Sequence, residues 1–432
     1  MSLHELTRQL AGHQHLLVGF SGGLDSTVLL HQLVMLRKQQ PDLHLRAIHI
    51  HHGLSPLADG WVEHCRQQCQ HWQVELVVVR VTLDIEKGIE AAARKARYQA
   101  FSEQLRAGEC LLTAQHQDDQ CETFMLALKR GSGPAGLAAM PVQSRLGSHT
   151  LLRPLMSQTR QHLEAWAEEY ALCWIEDESN QDTRFDRNFL RQAVIPTLVS
   201  RWPHFGRSVA RSAQLCGEQE QLLDELLAES LSELADEAGG LSWRPMLAMS
   251  EVRRAALLRR WIGMQQGQMP SRESLQRIWQ EVACSREDAE PRVRLGSHEV
   301  RRFRDRLYWL ALSEPVAGVI LNWSINETTL ALPEGLGYLR RDEQGFKVRA
   351  PLPGEAVSVR FQATGKFHIL ERAGSRPLKK IWQEKAIPPW LRERTPLLFY
   401  GDTLIAAAGQ FVTREGNPEN QPCWHLSWIQ AQ

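Results

Sequence analysis

Residues 15–39 read HLLVGFSGGLDSTVLLHQLVMLRKQ. The apolar run at 15–20 reads as a strand and 27–39 as a helix. Between them lies Ser21-Gly22-Gly23-Leu24-Asp25-Ser26. Glycines let a backbone approach an anion closely, and a helix N-terminus supplies free N–H groups and positive potential. The two serines add hydroxyl donors. A carboxylate repels phosphate, so Asp25 reads as the partner of a bridging Mg²⁺. No Gly-Lys-Ser/Thr follows, so the loop is not a Walker A motif. The plainer reading is a glycine turn that caps a helix.

Outward from this loop the pattern repeats. Residues 45–50, 74–81 and 110–114 read as strands. Residues 60–72, 89–106, 118–129 and 158–170 read as helices, with a polar loop at 177–186. Strands alternating with helices predict an α/β unit built on a parallel sheet. Near residue 213 leucines at helical spacing begin on an acidic background, up to Gly239-Gly240. Two helices follow, with Ser250 and Ser271 as N-caps, then an arginine-rich hairpin over 291–312. Beyond 315, strand-like stretches and Pro/Gly turns dominate. The expected division is 1–212, 213–315 (mainly helical) and 316–432 (a smaller α+β domain).

The chain has 432 residues, enough for more than one core. Apolar residues at 43% and charged residues at 23% fit folded, soluble protein rather than disorder. Lysine plus arginine equals aspartate plus glutamate, 50 of each, which excludes a uniformly basic coat but leaves room for local basic patches. The N-terminal stretch has an acid at Glu5 and no long apolar run, so neither a signal peptide nor a membrane span is expected. Eight scattered cysteines without a C-x-x-C point to a reduced, cytoplasmic setting.

A second motif stands at the end of the fourth strand: Thr113-Ala114-Gln115-His116-Gln117-Asp118-Asp119-Gln120-Cys121-Glu122-Thr123. Ligands of such sheets bind at carboxyl strand ends. Asp119 and Glu122, three apart at a helix start, share a face. A carboxylate pair there can hold a cationic amine or take its proton; equally, two solvated acids favour a helix N-terminus.

The Ser21–Ser26 hexapeptide resembles the phosphate loop of the N-type ATP pyrophosphatases, the PP-loop superfamily. The second motif resembles the signature of the tRNA(Ile)-lysidine synthases, Ala-His-His-x-Asp-Asp-Gln-x-Glu-Thr, with Gln115 in place of the first histidine. The same family is matched by His49-Ile50-His51-His52-Gly53-Leu54, with His51 where Asn is usual, and by Gly88-Ile89-Glu90-Ala91-Ala92-Ala93-Arg94-Lys95-Ala96-Arg97-Tyr98. Arg130-Gly131-Ser132-Gly133, Arg153-Pro154-Leu155, Glu176-Asp177-Glu178-Ser179-Asn180 and Arg187-Asn188-Phe189-Leu190-Arg191 fit as well. The length and the stretch 379–388 resemble the long bacterial form. The resemblance is dense over about 15–195 and patchy beyond.

The resemblance implies a Rossmann-like PP-loop fold and a ligase. ATP adenylates O2 of the wobble cytidine in a tRNA(Ile) with a CAU anticodon, and pyrophosphate leaves. The ε-amine of free lysine then attacks carbon 2 and AMP leaves, forming lysidine. That changes decoding from AUG to AUA and identity from methionine to isoleucine. Ser21, Gly22, Gly23, Leu24, Asp25 and Ser26 would hold ATP, with Asp25 meeting Mg²⁺ through pyrophosphate. A free lysine ammonium has a pKa near ~10.4 and needs a base. Asp119 and Glu122 would bind lysine, and Asp25, His116 and Asp119 would be catalytic, with Asp119 as the base. Arg94 and Arg97 are candidates for charge stabilisation or acid bridging. Arg187, Asn188 and Arg191 are candidates for RNA contact or for ion pairs with Asp182 and Asp186. His49, His51 and His52 alternate along a strand with no partner cysteines, which argues against a metal site.

A target base must leave the anticodon stack, so an RNA surface outside the catalytic unit is expected. Two basic segments are candidates. One includes Arg301 and Arg302; the other includes Lys379 and Lys380. The helix pair near 251–283 is read as ordinary packing rather than a DNA reader. The expected partners are the tRNA and free lysine, with neither membrane nor DNA and with a homodimer possible. Two alternatives stand beside this reading: a tRNA thiolase of the same superfamily, and a nucleotide-gated tRNA-binding protein without catalysis.

Overall fold

Side chains alternate faces along a strand, and the first strand shows what that does to the core. In the computed structural model, which describes residues 3–10, 12–83, 88–267, 269–286, 289–370, 372–419 and 421–430, β1 (His15–Gly19) sends Leu16 and Val18 to one face and Leu17 to the other. Leu16 and Val18 join Val28, Leu29 and Leu33 in a core that also takes Cys65, Cys69, Leu163 and Ala167. Leu17 joins Ile48, Phe101, Leu111 and Leu151 on the opposite side. Both faces are covered, as the near-continuous apolar strands require.

In chain order come α1 (Leu3–Gln9), β1, α2 (Leu24–Gln39), β2 (His44–His51), α3 (Ala58–His71), β3 (Glu75–Arg80), α4 (Ile89–Gln104), β4 (Cys110–Leu112) and α5 (Gln117–Lys129). A short helix α6 (Pro134–Leu137), an edge hairpin β5 (Gln143–Leu146) and β6 (His149–Leu152), and α7 (Arg160–Glu169) follow. The strand order is β3-β2-β1-β4-β6-β5. All pairings are parallel except β5 with β6. The chain therefore runs outward from β1 through β2 to β3, then returns to lay β4 on the other side of β1. At that reversal, connections diverge and leave a crevice at the carboxyl ends of β1 and β4. The loop after β1 is residues 21–26 and the segment after β4 is 113–116. The topology brings the two motifs together although about ninety positions separate them.

The chain divides into two compact units, Met1–Leu226 and Leu227–Gln432. The helix Phe205–Leu234 starts eight residues before the leucine pattern suggested, and residue 213 lies inside it. In the second unit, Ser250 and Ser271 cap their helices, accepting from the amides of Arg253 (3.3 Å) and Ser274 (3.1 Å). The expected single hairpin at 291–312 is a three-stranded meander, Arg292–Leu295, His298–Phe303 and Arg306–Ala311. Its turns are tight: Gly296 (φ 62°) and Arg304 (φ 57°) each take the left-handed conformation such turns need. Arginine rarely adopts it, so the second turn carried no sequence signal. The C-terminal part is an antiparallel sheet of Ile320–Asn322, Val357–Arg360, Leu397–Tyr400, Thr403–Ala407 and Phe411–Val412 beside a three-stranded one.

Candidate active site

Gly22 has φ +85°, and a Cβ there would meet Ile175 Cδ1 at 2.6 Å and Cys65 Sγ at 3.0 Å. Both the conformation and the space demand glycine. The loop is tied inwardly: Ser26 Oγ donates to Gly23 O (3.0 Å), lies 3.0 Å from Ser21 Oγ and accepts from Ser21 N (3.2 Å). Ile175 N donates to Gly22 O at 2.8 Å, bracing the loop from a distant segment. Thr27 N is satisfied by Gly23 O (3.0 Å); the amides of the turn before it have no carbonyl within the helix, which suits a helix N-terminus to an anion.

Asp25, in the first turn of α2, is partly exposed. Burial opposes its ionisation, but His116 and the Arg160 and Arg191 charges prevail and hold its pKa below the ordinary value. Asp25 is thus an anionic oxygen donor at the loop's mouth, the kind Mg²⁺ prefers. Arg160 Nη1 stands 3.2 Å from Oδ1 and 3.4 Å from Oδ2.

His116 is buried at the N-cap of α5. Its Nε2 lies 3.6 Å from Asp25 Oδ2 and 3.5 Å from Asp119 Oδ2, and its Nδ1 lies 3.3 Å from Asp118 Oδ2. Burial disfavours the imidazolium, yet the hydrogen bonds and charges of the three carboxylates push its pKa up to about 10. In the neutral ring Nδ1 is placed to accept from Asp118 N (3.2 Å) and cap the helix. In the cationic form, which the surrounding acids favour, Nδ1–H turns to the Asp118 carboxylate instead. Asp119 Oδ2 accepts from His116 N (3.0 Å), completing the turn. Gln115, at the family's histidine position, accepts from Thr113 Oγ1 at 2.6 Å through its side-chain oxygen.

Asp119 and Glu122 do share a face, and one cation joins them. Arg191 Nε donates to Glu122 Oε1 (2.6 Å), and its Nη2 donates to Glu122 Oε2 (3.1 Å) and Asp119 Oδ1 (3.1 Å). Glu122 is fully buried, and burial raises its pKa despite Arg191. Arg191 rides on a single π-helical turn, Leu190–Val194, a geometry that recurs at functional positions.

The remaining arginines sort differently. Arg187 donates to Thr123 Oγ1 (3.3 Å) and stands 3.7 Å from Glu122 and 3.9 Å from Glu90. Neither Arg187 nor Arg191 pairs with Asp182 or Asp186 among the described residues; Asp182 holds Arg184 (2.7 Å) and Asp186 holds Lys129 (2.7 Å). Asn188 donates through Nδ2 to Ser179 O and Asp182 O, both at 2.9 Å, and so braces the polar loop. Arg94 lies over the Tyr98 ring at 5.0 Å. Half-buried Arg97 has its pKa lowered by burial and by the Arg94 and Arg187 charges; it helps depress His52 to about 4, after burial.

In the second unit the two basic segments meet. Arg302 and Lys379 line one cavity of about 520 Å³ with Arg244, Arg304 and Arg392. Arg302 itself donates to the carbonyls of Ala283 (2.8 Å) and Ser285 (2.7 Å), closing a helix end. Arg301 pairs with Glu299 at 2.6 Å. Lys380 is exposed next to Lys379.

Sequence reasoning missed Arg160, Ile175 and the role of Asp118, which accepts from Arg160 N at 2.7 Å. One signal was available: Arg160 opens α7, where a cation opposes the helix dipole and so needs an anion elsewhere. The thiols of Cys65, Cys69 and Cys110 are buried and pushed up to about 12, and that of Cys121 to about 11.

Residues 1–198 match the family model of the PP-loop domain, 241–308 that of the TilS substrate binding domain and 357–428 that of the TilS substrate C-terminal domain. The chain is 60% identical over 426 residues to the tRNA(Ile)-lysidine synthase of Serratia proteamaculans, covering 98% of each chain. It is 57% identical over 429 residues to that of Salmonella typhi, covering 99% of this chain and 100% of the relative. Among solved structures, it is similar to a U34-tRNA thiolase of Methanococcus maripaludis (TM-score 0.43, 16% identity, 50% of this chain and 77% of that one).

Proposed function

The chain belongs to the tRNA(Ile)-lysidine synthase family, and from that premise we propose how its site divides the work. It is an ATP-using, tRNA-modifying enzyme that forms lysidine. Adenylation falls to the loop after β1. Ser21 to Ser26 cradle the polyphosphate of ATP through amides and hydroxyls, in the manner of other helix N-termini. Asp25 would hold Mg²⁺ together with pyrophosphate oxygens, where the metal neutralises charge on the leaving group. His116, cationic and within 3.6 Å of Asp25, offers positive charge beside the reacting phosphate.

Lysine transfer falls to Asp119 and Glu122. The observation that carries this reading is the ion pair itself: a guanidinium already fills the space between the two carboxylates, so the pocket accepts a cation. The lysine ammonium exchanges with Arg191, and Asp119, the less buried carboxylate, takes the proton before the amine attacks carbon 2. Arg94, Arg97 and Arg187 supply positive charge on the same side for AMP or RNA phosphate. Residues 213–315 and 316–432 serve as tRNA-binding parts, with the cavity of Arg302 and Lys379 as a phosphate seat. Cytoplasmic action and dimerisation complete the proposal.

The thiolase alternative needs a thiolate, and Cys121 in the second motif is buried with its pKa pushed up to about 11. The deciding experiment follows pyrophosphate release with CAU-anticodon tRNA(Ile), with and without lysine, and weighs the resulting nucleoside. Asp25→Ala should abolish pyrophosphate release. Asp119→Ala should keep some release and lose lysine incorporation. Normal lysine incorporation by Asp119→Ala refutes the amine site, and release without incorporation by the parent points to another nucleophile.

A further inference from the structure

Both carboxylate oxygens of Asp25, the ones that would meet a divalent cation, already accept from Arg160. Arg160 is anchored at its backbone, where its N–H donates to Asp118 Oδ2 (2.7 Å), and its Nε donates to Glu164 Oε1 (2.9 Å). Its Nη1 is the atom on Asp25. The side chain is 41% exposed, so it is open to solvent while it pairs with Asp25. A metal at Asp25 competes with Nη1 for the same oxygens and repels it. The guanidinium then needs another anion, and the polyphosphate bound at the loop is the one at hand. A planar fork of donors matches phosphate oxygens two at a time.

We propose that Arg160 is a pyrophosphate-binding residue: it neutralises Asp25 while the loop is empty and moves onto the β- and γ-phosphates when a magnesium polyphosphate enters. This rests on the reading of Asp25 given above. The chemistry gives the move a purpose. The cytidine O2 forms a bond to the α-phosphorus, the bond from that phosphorus to the bridging oxygen breaks, and the electron pair departs on pyrophosphate. The leaving group gains negative charge in that step, and a mobile cation beside it stabilises the gain. Arg160 then holds the product and not the nucleoside half. It belongs to the polyphosphate side of the cleaved bond.

The test titrates magnesium pyrophosphate, and separately AMP, into the ligand-free full chain by calorimetry, for the parent, Arg160→Met and Arg160→Lys. Arg160→Met should bind magnesium pyrophosphate at least ten-fold more weakly with AMP affinity unchanged. Arg160→Lys should fall between, since it keeps the charge and loses the fork. Unchanged pyrophosphate affinity in Arg160→Met overturns the inference, and equal losses for pyrophosphate and AMP mark a structural brace and overturn it too. If Arg160→Met does not fold, Arg160→Lys decides on the same criterion. A parent that binds AMP but no magnesium pyrophosphate overturns the loop reading itself, and the inference with it.

Discussion

Glu122 has no exposed surface, and it can stay ionised only because Arg191 reaches it with two donors. Arg191→Met keeps a long apolar stem and removes three hydrogen bonds, two to Glu122 and one to Asp119. Arg187, at 3.7 Å, remains the nearest cation and does not replace a bidentate pair. A buried charge stripped of its partner costs about 3–5 kcal/mol. The escape is protonation, and burial already raises the Glu122 pKa with Arg191 in place. Without Arg191 it rises further. A carboxyl whose folded pKa exceeds its unfolded value is neutral in both states at low pH. Above the unfolded value, near ~4.3, each pH unit costs the folded state about 1.4 kcal/mol until the folded pKa is passed. Arg191→Met should therefore be about 3–5 kcal/mol less stable than the parent near pH 8 and much closer to it near pH 5. Urea unfolding at both values measures this. In the double variant Glu122→Gln/Arg191→Met position 122 carries no charge to be stranded, so the loss should shrink to about 1–2 kcal/mol and shed the pH dependence that Glu122 gives it. Equal losses at the two pH values, or a double variant as unstable as the single one, would refute the argument.

Two further outcomes are expected. Gly22→Ala forces a Cβ against Ile175 and Cys65 at a left-handed φ, with strain of about 1–3 kcal/mol before the clash is counted; melting temperature should fall and the KM for ATP rise at least ten-fold, and a KM equal to the parent's contradicts the loop geometry. His116, raised from 6.5 to about 10, contributes stability that is complete below about 6.5 and lost as pH climbs through about 10. The stability gap between the parent and His116→Gln, measured without nucleotide, should narrow across that window; a constant gap means the ring is neutral.

The strand–loop–helix at 15–39 was legible because apolar period and glycine content are local properties. The capping serines at 250 and 271 were legible for the same reason. The placement of β4 beside β1 was not, since strand order depends on contacts between segments far apart in sequence. The edge hairpin β5–β6 was missed because Gln143–Leu146 is short and polar and buries no residue at the sheet's rim. The types and spacing of Asp25, His116, Asp119 and Glu122 singled them out in the sequence, and the structure brings the four close together. Their counter-charges did not announce themselves. Arg160 reaches Asp25 across 135 positions and Arg191 reaches Glu122 across 69, and no window of sequence spans either pair.

The buried thiols give the first unit an internal clock. Cys65 and Cys69 on α3, Cys110 on β4 and Cys121 on α5 are buried and present almost no thiolate at neutral pH. An alkylating reagent modifies the exposed Cys173, Cys284 and Cys423 readily and reaches these four only when the surrounding layers part. Their rate of labelling thus meters how often the catalytic unit opens, and a ligand that settles at the carboxyl ends of β1 and β4 should slow that clock by a factor of one plus the ratio of free ligand concentration to Kd.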